Sequence, residues 1–260
     1  MLNLDLTGKT ALVTAATSGI GLATAKLLAE MGADLWINGR SPDRLDRARD
    51  DILAVAPHSI VRTVAADVSQ ARGVATVVNA VEDLDILIPM AGGTAHLAPF
   101  VELSDEDWHY QWEYNVMQGV RLARHYVPSL QRKEFGRIVF VASEAGVVTP
   151  PNAVDYGVAK AAVIRLSRAV AEIFAGSIDV TANCVVPGSV MSDWVERMAA
   201  GRPLADVEAD YFAVARPTSL VKRFLDADAV ASLIAYLCSP ASTATRGGVL
   251  RAEGGGIRSS

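Results

Sequence analysis

The stretch TALVTAATSGIGLATAKLLAEMGADLWINGRS, residues 10–41, passes through three patterns in turn. TALVTA is apolar or β-branched at almost every position, which suits a strand buried on both faces. After the small residues Ala16 to Ser18, apolar side chains recur at helical spacing, and Gly32 stands where that helix should stop. DLWIN, residues 34–38, returns to strand chemistry. The sum is a βαβ unit, and strands apolar throughout predict a parallel sheet with helices on both sides. At the turn, Gly19 and Gly21 let backbone N–H groups approach a pyrophosphate at a helix N-terminus, where the dipole favours an anion. The same glycines would serve a tight turn with close helix packing. Their place directly after the first strand of a βαβ unit favours the phosphate reading.

Outward from this unit the alternation continues. SPDRLDRARDDILAVA (41–56) reads as a helix and SIVRTVAAD (59–67) as a third strand; a second half follows with LDILIPMAG (84–92), a helix from Ser104 to Gln131, GRIVFVAS (136–143), a helix from Asn152 to Ala175, and IDVTANCVVPG (178–188). Ser104 and Asp107 form a capping box, and Gly176 closes the later helix. From Gly188 to Pro217 the pattern becomes a helical insertion bearing Trp and Tyr, placed where a substrate lid sits in such a sheet. The helix DADAVASLIAYLCS (226–239) and a short strand near GVLRA (248–252) complete the chain. The expectation is a three-layer, Rossmann-type, doubly wound α/β fold over residues 1–260 as a single domain, with the lid at 188–217.

Composition narrows the ligands. With 260 residues, 51 % of them apolar, the chain can bury a large core. A net charge of -5 and no concentrated Lys/Arg run argue against nucleic acid or an anionic membrane as partner. Cys184 and Cys238 lie in separate apolar segments without zinc or redox spacing, which predicts buried free thiols in a reducing compartment and no metal site. No apolar run approaches the roughly 20 residues needed to span a bilayer, and KTALVTAA near the start lacks a basic leader. A soluble, cytoplasmic protein acting on a small molecule is expected.

Chemistry enters with SEAGVVTPPNAVDYGVAKAA, residues 143–162. Tyr156 and Lys160 share one helix face by their spacing, and Ser143 closes a strand at its carboxyl end, where ligands sit in open α/β sheets. A tyrosine and a lysine so spaced recur by chance in roughly one chain in nine of this composition, so the surroundings must discriminate. A phenol ionises near pH 10; an adjacent ammonium and an oxidised nicotinamide would lower that value and let Tyr156 exchange a proton with a ketone or alcohol oxygen. Ser143 would polarise the same oxygen.

Here the chain resembles the short-chain dehydrogenase/reductase family, whose serine, tyrosine and lysine fall in this order and at this spacing. Asn115, in WEYNVMQGVRLARHY, matches the family's fourth catalytic position. The resemblance implies that Lys160 also holds the nicotinamide ribose and that Asn115 positions a water in a proton relay. It runs the length of the chain. Thr14, Ala15, Ser18, Gly19 and Ile20 fall on the family's nucleotide turn, with Ala15 where a glycine is usual; Asp67 and Val68 fall beside the adenine. Ala91 and Gly92 follow Met90, which replaces a strand-supporting asparagine, so that support should be missing. Pro187, Gly188, Val190 and Ser192 resemble the turn carrying toward the carboxamide, and Glu253 stands where relatives have aspartate. An alanine at 15 forbids positive φ unless strain is accepted.

At the end of the second strand, Gly39 stands where an acid would accept a ribose 2′-OH, and Arg40 follows. Missing acid and adjacent arginine favour NADP(H), with NAD(H) the alternative. His96, Glu144, Asn152 and Trp194 are candidates to face substrate, although loop structure or lid packing would account for each. A Glu144 turned to the pocket would favour a substrate with a hydroxyl or amine. The expected activity is ketone–secondary alcohol interconversion by hydride transfer. The competing readings are a non-catalytic nucleotide-binding protein, an NAD-dependent alcohol dehydrogenase, or a dehydratase, lyase or epimerase. The two long helices imply a homotetramer or homodimer.

Overall fold

Alternation of buried strands with amphipathic helices produces one parallel sheet. The protein is described by a computed structural model covering residues 2–94 and 96–258. Its elements run β1 (Thr10–Val13), α1 (Gly19–Glu30), β2 (Asp34–Gly39), α2 (Pro42–Val55), β3 (Val61–Ala65), α3 (Ala71–Ala80), β4 (Ile86–Ile88), α4 (Asp105–Trp112), α5 (Gln118–Leu130), β5 (Phe135–Val141), α6 (Val154–Ile173), β6 (Asp179–Pro187), α7 (Asp193–Ala199), α8 (Leu204–Val214), α9 (Ala227–Cys238) and β7 (Val249–Ala252). Among the described residues seven strands pair in the order β3-β2-β1-β4-β5-β6-β7, with every pairing parallel. The order reverses between β1 and β4, which opens the crevice at the carboxyl ends of those strands where ligands bind in such sheets.

Strand periodicity divides the core into two layers. Ile138 and Phe140 of β5 pack with Leu122, Tyr126 and Val163 of α5 and α6, whereas Val139 and Val141 pack with Leu28 of α1 and Ile234 of α9. Ser104 and Asp107 make the expected capping box. Cys184 and Cys238 are buried and free, as their apolar settings imply.

The long helix expected from Ser104 to Gln131 is not uniform. A π turn at Glu113–Met117 separates α4 from α5 and holds Asn115. Such turns recur at functional positions.

Ala15 adopts φ +53°, so the chain accepts the strain that its methyl group brings. The turn is tight because a Cβ on Gly21 would fall 2.3 Å from the Ala15 carbonyl oxygen. Ala15 itself is exposed, and Ala15→Gly would remove no packing. We expect that substitution to stabilise the protein by about 0.5–1 kcal/mol, the left-handed penalty less the entropy glycine adds to the unfolded chain. Calorimetry should show Tm rising by roughly 1–4 °C; a fall would refute the strain assignment.

The insertion carries α7 and α8 and has its own small core of Val195, Val207, Phe212 and Phe224. Phe224 lies beyond the expected lid end at Pro217. The returning chain is pinned by Leu220 and Val221 N–H groups donating to the Gly254 carbonyl at 2.9 and 3.2 Å.

Candidate active site

Ser143 leaves β5 extended and caps a short 3-10 turn, its Oγ accepting from Ala145 N–H at 3.2 Å. That turn lies against α6 without intervening side chains. A Cβ on Gly157 would fall 2.4 Å from Thr149 Cγ2 and 2.8 Å from the Ala145 carbonyl, and one on Gly146 would fall 2.8 Å from Ala161 N. This close approach sets the Tyr156 phenol and the Ser143 hydroxyl on the wall of one cavity. Burial raises the phenol's pKa above 10, opposed by the Ser143 hydrogen bond; the Glu144 carboxylate pushes it further up and the Arg216 guanidinium pushes it down.

Lys160 is 4 % exposed, with Nζ donating to the Val141 carbonyl at 3.1 Å and standing 5.8 Å from the Tyr156 ring centroid. Burial lowers its pKa to about 8. The sequence expectation that Lys160 lowers the phenol's pKa is not met: burial acts on both groups, and it disfavours both charged forms.

Asn115 is fully buried. Its Oδ1 accepts from Gly93 N–H at 2.9 Å, and its Nδ2 donates to the Gly93 carbonyl at 3.1 Å and to Gln111 Oε1 at 2.7 Å. A Cβ on Gly92 would fall 2.5 Å from Asn115 Oδ1 and 3.2 Å from Lys160 Nζ. Asn115, Lys160 and the Ala91–Gly93 turn thus converge on one spot behind Tyr156. The four residues expected to act together are gathered from β5, α6 and the π turn.

Two cavities open beside this cluster. The smaller, about 340 Å³, is walled by Ala15, Ser18, Gly39, Arg40, Asp67, Val68, Ala91 and Gly92 among the residues expected on the nucleotide. The larger, about 730 Å³, is lined by Ser143 and Tyr156, by Gly188 and Ser192, and by all four substrate candidates, His96, Glu144, Asn152 and Trp194. Thr14, Gly19, Ile20, Lys160, Pro187 and Val190 stand on neither wall. Thr14 is buried, its hydroxyl accepting from Met90 N–H at 3.0 Å and Ala91 N–H at 3.2 Å, and so ties β1 to the turn after β4. Ile20 packs into the core, and Val190 bridges to Leu225. Ser189, Arg197, Tyr211 and Arg216 also line the larger cavity and were not singled out from sequence.

The strand support expected to be missing at Met90 is supplied otherwise. Gln118 Nε2 donates to the Pro89 carbonyl at 3.3 Å and to the Ala91 carbonyl at 3.1 Å. Arg44 was missed as well: it lines the smaller cavity with Arg40, and its Nη2 donates to Ser18 Oγ at 3.2 Å. Its signal in the sequence was the spacing of Arg40 and Arg44 across a helix start. A Cβ on Gly39 would meet Thr17 Cγ2 at 2.6 Å, so this strand end has no room for an acid unless Thr17 moves.

A hydroxyl, a phenol and an ammonium at the carboxyl edge of a doubly wound parallel sheet define a class, the α/β oxidoreductases. The chain belongs to the short-chain dehydrogenase family, whose profile matches residues 9–202. It is 38 % identical to the uncharacterized oxidoreductase YvrD of Bacillus subtilis, over 99 % of this chain and all of that one. Among solved structures it is similar to L-sorbose reductase from Gluconobacter frateurii complexed with NADPH and L-sorbose, with a TM-score of 0.91 at 30 % identity, covering 99 % of this chain and 100 % of that one. It is also similar to an NADPH-bound short-chain oxidoreductase of Pseudomonas aeruginosa with an atypical catalytic center, with a TM-score of 0.89 at 29 % identity over 98 % of this chain and 99 % of that one.

Proposed function

We propose that this chain is an NADP(H)-dependent oxidoreductase that interconverts a ketone and a secondary alcohol, with Tyr156 as general acid and base. The observation that carries the reading is that Ser143 and Tyr156 line the wall of the larger cavity together, backed by Lys160 and Asn115. The smaller cavity suits the nucleotide: Gly39 and Gly92 carry no side chain into it, and Arg40 and Arg44 offer two guanidiniums to a 2′-phosphate, with glycine in place of an acid at the end of β2. NADPH held by the smaller cavity's residues would supply the hydride. Tyr156 holds the proton that the carbonyl oxygen receives, and its raised pKa keeps that proton in place at neutral pH. Ser143 orients the oxygen. Lys160 and Asn115, which converge on Gly92, would return the proton to the phenol. The test is NADPH absorbance during turnover over a panel of ketones: loss equal to alcohol formed supports the reading, and turnover without net cofactor change would turn it toward a lyase or epimerase.

No helix of the described residues is long and apolar enough to cross a membrane. A cytoplasmic location fits the two free thiols. The assembly we propose is a homotetramer or homodimer built on the face of α4, α5 and α6, where Tyr110, Trp112 and Val158 are each at least 44 % exposed. Sedimentation velocity at micromolar concentration is expected to give twice or four times the chain mass; a monomer would overturn this.

A further inference from the structure

The larger cavity contains an ion pair that proton transfer by Tyr156 does not require. Glu144, directly after Ser143, is only 6 % exposed, and its Oε1 accepts from Arg216 Nε of the lid. Ser189 Oγ lies 3.4 Å from the same carboxylate oxygen and 3.0 Å from Tyr211 Oη. Arg216 Nη1 donates to the Ala215 carbonyl at 2.8 Å, and the guanidinium carbon lies 6.0 Å from the Tyr211 ring centroid. All four side chains line the cavity that Ser143 and Tyr156 open into. Glu144 directly follows Ser143 in the chain, so the cluster shares the cavity with the reacting groups.

Such a wall makes a chemical demand. A partly buried ion pair tolerates its position only while its remaining donors and acceptors are satisfied. A ligand that fills the cavity must supply those partners itself. An apolar ketone would strand carboxylate, guanidinium and hydroxyls together. A keto acid would compete with Glu144 for Arg216 and set two carboxylates side by side. A neutral ketone bearing a hydroxyl on the carbon next to its carbonyl offers both a donor to Glu144 and an acceptor to Arg216 or Ser189.

We infer that Glu144, Arg216, Ser189 and Tyr211 form a hydroxyl-reading subsite that selects neutral hydroxylated ketones over apolar ketones and keto acids. This rests on the ketone-reductase reading above and names its substrate class. The test compares an isosteric pair, hydroxyacetone and 2-butanone, with pyruvate as the charged control. Wild-type enzyme should prefer hydroxyacetone over each by about 10²-fold or more in kcat/KM, because a site built around a hydroxyl leaves its own polar groups unpaired by the analogue. Glu144→Leu leaves Arg216 without its partner and endangers folding, so the informative variant is the double substitution Glu144→Leu/Arg216→Leu, which removes both charges together. In it the preference over 2-butanone should collapse to below about threefold. Equal use of the two ketones by wild-type enzyme, a preference for pyruvate, or a hydroxyl preference surviving in the double variant would each overturn the subsite while leaving the reductase intact. No NADPH-dependent turnover with any ketone would overturn both readings.

Discussion

Tyr156→Phe is expected to lower kcat for ketone reduction by about 10²–10⁴-fold, the range a positioned general acid contributes, while the Kd for NADPH changes by less than about threefold. The ring stays and only Oη goes, so the packing at the start of α6 persists while the proton source is lost. Steady-state kinetics and a fluorescence titration of NADPH separate the two effects. Activity within a fewfold of wild type would end the mechanism. The pH profile supplies a second check whose sign follows from the raised phenol pKa. Reduction needs the protonated phenol, so its rate should hold through neutral pH and fall only on the alkaline side. Oxidation needs the phenolate and should climb over the same range. A reduction rate that fell between pH 6 and 8 would contradict a phenol held above its ordinary value.

The second large effect concerns the cofactor. Arg40→Ala and Arg44→Ala should each weaken NADPH by about ten- to a hundredfold, the loss of one charge-assisted hydrogen bond worth about 1.5–3 kcal/mol. NADH, lacking the 2′-phosphate, should be almost unaffected. Both arginines line the same cavity, and Arg44 is already held toward the turn by its hydrogen bond to Ser18. The double variant should bind the two cofactors with similar affinity. Gly39→Asp pushes in the same direction through like-charge repulsion, but its Cβ would meet Thr17 Cγ2 at 2.6 Å. Its NADPH loss is therefore mixed with local rearrangement, and the arginine series is the cleaner measurement. Calorimetric titration showing equal loss of NADPH and NADH would reduce both residues to solvated loop charges.

How much of this was legible beforehand depends on the range over which each feature is decided. Strand order along the chain, the capping box at Ser104, the helix stops at Gly32 and Gly176 and the buried thiols all follow from neighbours within a turn or two, and all appear in the structure. Arg44 was visible as a residue but not as a partner of Arg40, because only the path of the chain into α2 turns both toward one cavity. Gln118 could not be read as a support for the turn after β4, since its two acceptors lie 29 and 27 residues upstream. The missing asparagine at Met90 was plain in sequence; its replacement was not.

By itself the sequence determined that a phenol and an ammonium share a helix face, that a hydroxyl ends a buried strand, and that a glycine-bearing turn leads from the first strand into a helix. These are local consequences of backbone geometry, set by neighbours along the chain. Tertiary structure alone decided that Glu144 meets Arg216 across 72 residues of chain, that both border the cavity above Tyr156, and that burial raises the phenol's pKa while lowering that of Lys160. Charge pairing and desolvation depend on distances in space, and distance along the chain does not set them.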